Sequence, residues 1–471
     1  MAIQPLTLPV PTSPPALTEE GFAGPMVAGD LPGPRSRVLL ERQEQRESNA
    51  RTYPRHLPIA IADARGSLVR DVDGNVFIDF LAGAGVLSLG HNHPELVRVA
   101  ARQLEIFTHG LDLPTPAKDD FVTAQLSMLP AALKDRMKIH FCGPTGANAV
   151  EAAIKLCKTA TGRDDIVSFA GGFHGSTAAA MAVTGLVEQK APVGGGMPGV
   201  HFFPYSYCAR CPLGLSKESS GTRCAHYLEN ALTDPLGGIP LPAAVIMEMV
   251  QGEGGVIPAT YEFAQRVRRL TRELGIPLIV DEVQTGCGRT GTWFAFEQYD
   301  IEPDVIVASK ALSGIGTPVA VILYDKELDR WAPGAHIGTF RGNQLAFATG
   351  AAAVEIVRRD RVLENVRERG AQVAALLTPL ETLDWVLEVR GRGLMWGIEL
   401  VHPGTGRPDG ELAEAVQAEA LRHGVIVETG GRDGCVVRLL PPLNVTEDHV
   451  AAACGVLVDA VSAVGEQGRA A

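Results

Sequence analysis

From about residue 96 the chain alternates helical patterns with short, fully apolar runs of strand length. That alternation is the signature of a parallel sheet covered by helices on both faces. Runs at 137–142, 165–169, 243–250, 277–280, 304–308 and 319–324 predict its strands. Residues 261–274 carry apolar positions at helical spacing and stop at Gly275-Ile276-Pro277, which predicts a crossover helix. Upstream, two alternating runs within 68–80 surround Asp73-Gly74 and predict an antiparallel hairpin. Beyond about residue 346, two helical stretches flank runs at 385–389 and 394–400, with another strand expected at 436–440. The chain therefore divides into a Pro-rich mobile arm (1–45), an N-terminal piece of a small domain (46–95), a large domain (96–345) and a C-terminal small α/β domain (346–471). Eight prolines among residues 1–34 break any period there.

Loops at the carboxyl ends of parallel strands meet in one crevice, so residues closing different strands can reach one ligand. Three closures are polar where their strands are not. After 137–142, Gly143-Pro-Thr145-Gly146-Ala147 leads into a helix, and N–H groups at a helix N-terminus suit a phosphate. After 277–280 comes Asp281, which alone reads as a turn cap or as the partner of a cationic ring nitrogen. After 304–308 comes Lys310, which alone reads as a surface charge or as a buried, nucleophilic amine. Together they would put a phosphate cradle, a pyridinium partner and an aldehyde-capturing amine on one edge.

Composition narrows the partners. A net charge of −12 and a pI near 5.5 oppose a nucleic-acid partner, which needs a basic footprint. No Lys or Arg precedes Arg35, and no stretch reaches the roughly 20 uninterrupted apolar residues of a membrane span. A cytoplasmic protein with eight reduced cysteines and no membrane partner is expected.

The motifs IVDEVQTGCGRTG (279–291), SKAL (309–312), GHNHP (90–94), GGFHGS (171–176), QGEGG (251–255), TFRGN (339–343), RGRGL (390–394) and RLLPP (438–442) resemble, as an ordered series, class III, ornithine-type pyridoxal phosphate aminotransferases. The resemblance runs from about Tyr53 to Leu443. It implies fold type I, an α/β architecture with a mainly parallel seven-stranded sheet and a smaller α/β domain from both ends of the chain. It also implies a homodimer with shared active sites. Lys310 would hold pyridoxal phosphate as a Schiff base and act as general acid/base, with Asp281 on the ring nitrogen. Phe173 and Val283 would pack the two ring faces, Gln284 would meet the phenolic oxygen, and His174 would orient the cofactor loop. Thr145, Gly146 and Ala147 would hold the phosphate, joined by Thr339 from the neighbouring subunit. Ala147 departs from the family's usual hydroxyl at that position.

Glu253 and Arg438 match a pair in which the arginine grips the carboxylate of 2-oxoglutarate or glutamate and the glutamate masks it for other donors. The finer pattern, in SNARTYP (48–54), FLAGAG (80–85), GPTG (143–146) and HIGTFRGNQ (336–344), resembles diaminobutyrate–2-oxoglutarate members. Ala84 stands where ornithine enzymes usually place tyrosine, which implies a shorter diamino acid, with Tyr53 meeting the donor. Another ω-amine in a biosynthetic pathway is an alternative, and a racemase or aminomutase on the same fold is a second. Cys208, Cys211, Cys224 and His226 have zinc-like spacing, but without a second close Cys pair no metal is expected. His91 and His93 are expected to cap a turn, and Cys287 has no evident base.

Overall fold

Seven short strands pair into one sheet, in the order Met137–Gly143, Ala320–Asp325, Val305–Ala308, Leu278–Asp281, Ala244–Glu248, Ile166–Phe169, Val200–Phe203. The computed structural model describes residues 17–19, 24–194, 196–216 and 222–470. Ala320–Asp325 runs antiparallel to both neighbours, and every other pairing is parallel. Ala244–Glu248, Leu278–Asp281 and Val305–Ala308 are buried along their whole length because helices cover both faces, which is why they read as unbroken apolar runs.

Six of these strands follow the apolar runs; the edge strand Val200–Phe203 does not. Its run is interrupted by His201, whose Nε2 lies 2.7 Å from Asp165 Oδ2, and an edge strand needs less continuous apolarity. The run expected at 243–250 also divides. Its end, Val250–Gln251, leaves the sheet and pairs with Ile257–Pro258. The crossover helix forms over Tyr261–Glu273, where Thr260 Oγ1 accepts from Phe263 N at 3.3 Å and Phe263, Ala264, Val267 and Leu270 are buried. Each larger apolar side chain so buried contributes about 2 kcal/mol.

Both ends of the chain build the smaller domain. Ile61–Arg65, Leu68–Asp71 and Val76–Asp79 form an antiparallel sheet to which Val425–Ile426 adds in parallel. A second sheet takes the order Val386–Arg392, Met395–Leu400, Val436–Leu439, Glu428–Gly430, all antiparallel. The C-terminal helix Glu447–Ala470 is long and apolar enough to cross a membrane by composition. It instead places Val450, Ala453, Cys454, Leu457, Ala460 and Val461 in the core between these sheets and their helices.

The arm expected up to residue 45 is corrected at its end, because Pro34–Arg46 is helical. Proline suits the first helical turn, where its missing N–H has no partner to lose. Asp73 docks this helix, its carboxylate accepting from Arg35 N at 2.7 Å and Ser36 N at 2.8 Å. Residues 1–16 of the arm lie outside the described residues.

Candidate active site

The three polar strand closures do converge. A cavity of about 310 Å³ at the carboxyl edge of the large sheet is lined by Thr145, Gly146, Ala147, Phe173, His174, Glu248, Glu253, Asp281, Val283, Gln284 and Lys310. Lys310 follows the buried strand Val305–Ala308 with φ of 41°, a left-handed conformation that side-chain-bearing residues seldom hold. Strain of this kind persists where the surrounding structure enforces it, as at working sites. Burial pushes the Lys310 amine below its ordinary value, against the opposing charge of Glu253.

Asp281 ends its strand 96% buried, with Oδ1 accepting from Val283 N at 3.0 Å and Oδ2 lying 2.7 Å from His174 Nδ1. His174, expected to orient the cofactor loop, also holds this carboxylate. Burial alone would lower the His174 pKa, but the hydrogen bond and charge of Asp281, with Glu248 beyond, raise it. Phe173 is set by its own backbone, whose N–H donates to Glu248 Oε1 at 2.8 Å.

At the phosphate turn, Thr145 precedes the helix Gly146–Thr161, and Asn148 Oδ1 accepts from the Thr145 hydroxyl at 2.9 Å. Gly146 is required by packing as well as by any ligand, since a Cβ there would sit 2.9 Å from Val283 Cγ2. Pyridoxal phosphate fits this set of groups. The lining offers a helix N-terminus that would suit its phosphate, a buried carboxylate at Asp281 for its ring nitrogen, the side chains of Phe173 and Val283 for its ring and the Lys310 amine for its aldehyde, and the buried Gln284 Oε1 has no protein partner.

A second group of charges lies deeper. Arg438 is fully buried, and its Nη2 is 2.8 Å from Glu253 Oε2 and 2.8 Å from Glu428 Oε2. Gln284 Nε2 reaches Glu253 Oε1 at 3.5 Å, tying this cluster to the first. Burial opposes charge on Arg438, but the two carboxylates hold its pKa above the ordinary value. Its Nε and Nη1 have no partner although buried, so the fork still offers donors to an incoming carboxylate. Gly430 leaves the fork its room, since a Cβ there would meet Nε at 2.6 Å.

Tyr53 joins from the N-terminal segment, on the wall of an adjacent cavity of about 580 Å³ shared with Ala84 and His91. Burial and then the charges of Glu428 and Glu253 push its phenol up to about 12. Thr339 stands apart, exposed and outside the cavity, its carbonyl accepting from His109 Nε2 at 2.8 Å.

Two residues escaped the sequence reading. Glu248 closes the strand beside Asp281, in register with it, and its Oε2 accepts from Gly252 N at 2.9 Å. Burial, opposed by His174, pushes its carboxyl up to about 7. It obeys the same strand-end rule that marked Asp281, but the apolar run continuing to Val250 concealed the strand end. Glu428 had no local signal, because its meaning comes from lying opposite Arg438 across two antiparallel strands.

The other expectations resolve simply. His91 Nε2 lies 2.8 Å from Asp79 Oδ2, whereas His93 precedes the helix Pro94–Ile106 without a side-chain capping bond. Cys287 is outside the cavity lining, and burial pushes its thiol up to about 12. Cys208, Cys211 and Cys224 line one small cavity, but His226 is exposed beside Glu229, with Nδ1 3.6 Å from Oε2. Among the described residues no group of three or more His, Cys, Asp or Glu side chains is arranged to hold a metal.

Comparison with known proteins agrees with this geometry. The family profile for class-III aminotransferases matches residues 49–461. A diaminobutyrate–2-oxoglutarate aminotransferase of Rhizobium meliloti is 51% identical over 439 residues, 91% of this chain and 93% of the relative. One of Haemophilus influenzae with the same name is 47% identical over 421 residues, 87% of this chain and 92% of the relative. Among solved structures, the ornithine aminotransferase of Toxoplasma gondii, described with pyridoxal phosphate at its active site, superposes with a TM-score of 0.78 at 26% identity, covering 92% of this chain and 95% of its own.

Proposed function

The chain belongs to the class-III aminotransferase family, and from that premise we propose that it transfers the terminal amino group of L-2,4-diaminobutyrate to 2-oxoglutarate, giving an aldehyde and L-glutamate. Pyridoxal phosphate is the cofactor, and when bound it supplies an electron-accepting ring that carries the amino group from donor to acceptor.

Lys310 Nζ, its pKa lowered by burial, would take a proton from the carbon bearing the amine and return it to the carbon on the far side of the nitrogen, a 1,3 shift. Asp281, steadied by His174, would keep the ring nitrogen cationic. Phe173 and Val283 would pack against the ring, and Gln284 would bond its phenolic oxygen. Glu253 leaves Arg438 when a 2-oxoglutarate or glutamate carboxylate arrives, and covers it again for the diamine. Tyr53 borders the donor.

One observation carries this reading: a fully buried arginine with two unpartnered donors, masked by a carboxylate that also lines the Lys310 cavity. Such an arrangement suits an enzyme that admits two substrates of unlike charge to one pocket. The exposed Thr339, outside the cavity of its own chain, supports a homodimer in which it reaches the second chain's cofactor. Eight free thiols support action in a reducing, cytoplasmic setting.

The test is glutamate formation from 2-oxoglutarate with 2,4-diaminobutyrate, ornithine, lysine or 4-aminobutyrate. Diaminobutyrate is expected to give the highest kcat/KM, with strict dependence on the acceptor. Turnover of 4-aminobutyrate alone would overturn the substrate assignment, and donor consumption without any acceptor would point to a racemase or aminomutase.

A further inference from the structure

Arg438 faces two carboxylates, and a single masking glutamate would suffice to cover it. The two are held differently. Glu253 sits in Gln251-Gly252-Glu253-Gly254-Gly255, where flanking glycines let the backbone rearrange. Glu428 sits on the strand Glu428–Gly430, directly opposite Arg438 in antiparallel register, so both side chains share one face of the sheet. Glu253 can therefore swing away while Glu428 stays.

Arg438 and, beyond it, Lys310 are the cations that these two carboxylates feel, and the two are not served alike. Against burial, the charge of Arg438 holds the Glu253 carboxyl below its ordinary value, whereas burial pushes that of Glu428 up. The buried Glu428 Oε2, 2.8 Å from Arg438 Nη2, has no hydrogen-bond partner, so it is the carboxylate left to receive a further cation. The Glu428 charge also acts on the Tyr53 phenol, raising its pKa, and Tyr53 borders the second cavity. A diamino acid presenting its terminal amine to Lys310 carries a second ammonium at its far end. A monoamine such as 4-aminobutyrate does not.

We infer that Glu428 is the donor-selecting residue, receiving the distal ammonium of the diamino acid beside Tyr53. This rests on the diamine reading above and adds the group that enforces it. Glu428 takes no part in the proton transfer at Lys310. Its cost falls on the other substrate, because a carboxylate fixed on Arg438 competes with glutamate and 2-oxoglutarate for the same guanidinium.

Glu428→Gln in the holoenzyme separates these effects, with each half-reaction followed by the cofactor's absorbance change. Matched donors are 2,4-diaminobutyrate against 4-aminobutyrate, and ornithine against 5-aminovalerate, which differ only in the distal ammonium. We expect kcat/KM for the diamines to fall at least tenfold, mostly through KM, while that for the two monoamines does not fall and that for glutamate rises. Glu428→Asp should recover part of the diamine activity. A parallel fall for all substrates, or retained diamine preference in Glu428→Gln, would overturn the assignment while leaving the diamine reading intact. A wild-type enzyme that prefers the monoamines would overturn both.

Discussion

The cofactor end and the substrate end of this cavity are built on opposite principles. At the cofactor end, Asp281, Lys310 and the Thr145–Gly146–Ala147 turn each close a different strand of one sheet whose central strands are buried. Their neighbours are fixed within the large domain, as His174 and the Val283 N–H are for Asp281. At the substrate end, Glu253 comes from a glycine-rich turn of the large domain while Glu428 and Arg438 come from a small-domain sheet, and one nitrogen is shared between two carboxylates. The first arrangement is rigid because it serves every turnover identically. The second is over-supplied with partners because it must serve two substrates of unlike charge. Glu248 ties them together, one oxygen on Phe173 N and the other on Gly252 N.

Substitutions should divide along that line. Lys310→Ala should abolish both half-reactions alike, by about 10³-fold or more, since the amine acts on every substrate. Single-turnover rates with diamine and with glutamate check this, and a loss confined to one of them would break the comparison. Arg438→Lys keeps the charge but loses the fork. Its effect should be about 10²-fold in kcat/KM for glutamate and 2-oxoglutarate, with a much smaller one for the diamine, as expected for losing directional contacts to a buried carboxylate. Equal losses in both half-reactions would place Arg438 in the structural frame instead. Tyr53→Phe removes the hydroxyl on which the Glu428 charge acts, the equivalent of one hydrogen-bonding group at the donor, and should raise KM for the diamine by about fivefold, leaving 2-oxoglutarate untouched. Steady-state kinetics with each substrate varied in turn resolves that small shift.

Much of the cofactor end was legible in the chain. Asp281 and Lys310 follow apolar runs of strand length, and a buried parallel strand has nowhere to put polarity except at its end. Gly146 announced a strand-to-helix turn, although its close packing against Val283 became visible only in three dimensions. The hairpin around Asp73-Gly74 formed as its alternation predicts. Val200–Phe203 and the helix Pro34–Arg46 were missed for the same reason. Each is held by distant carboxylates, Asp165 and Asp73, rather than by its own pattern.

Six of the seven strands, the edge where chemistry gathers, and the family could be read from consecutive residues, because strand burial and motif order are local properties. Only the tertiary structure decided that Glu428 stands against Arg438, that His174 holds Asp281, and that Glu248 joins the two ends of the cavity. Those pairs lie 10, 107 and, from Glu248 to Phe173, 75 residues apart. Each sets a buried charged group against the partner that offsets its desolvation, an opposite charge or a backbone N–H, and no local spacing records which groups folding will bury side by side.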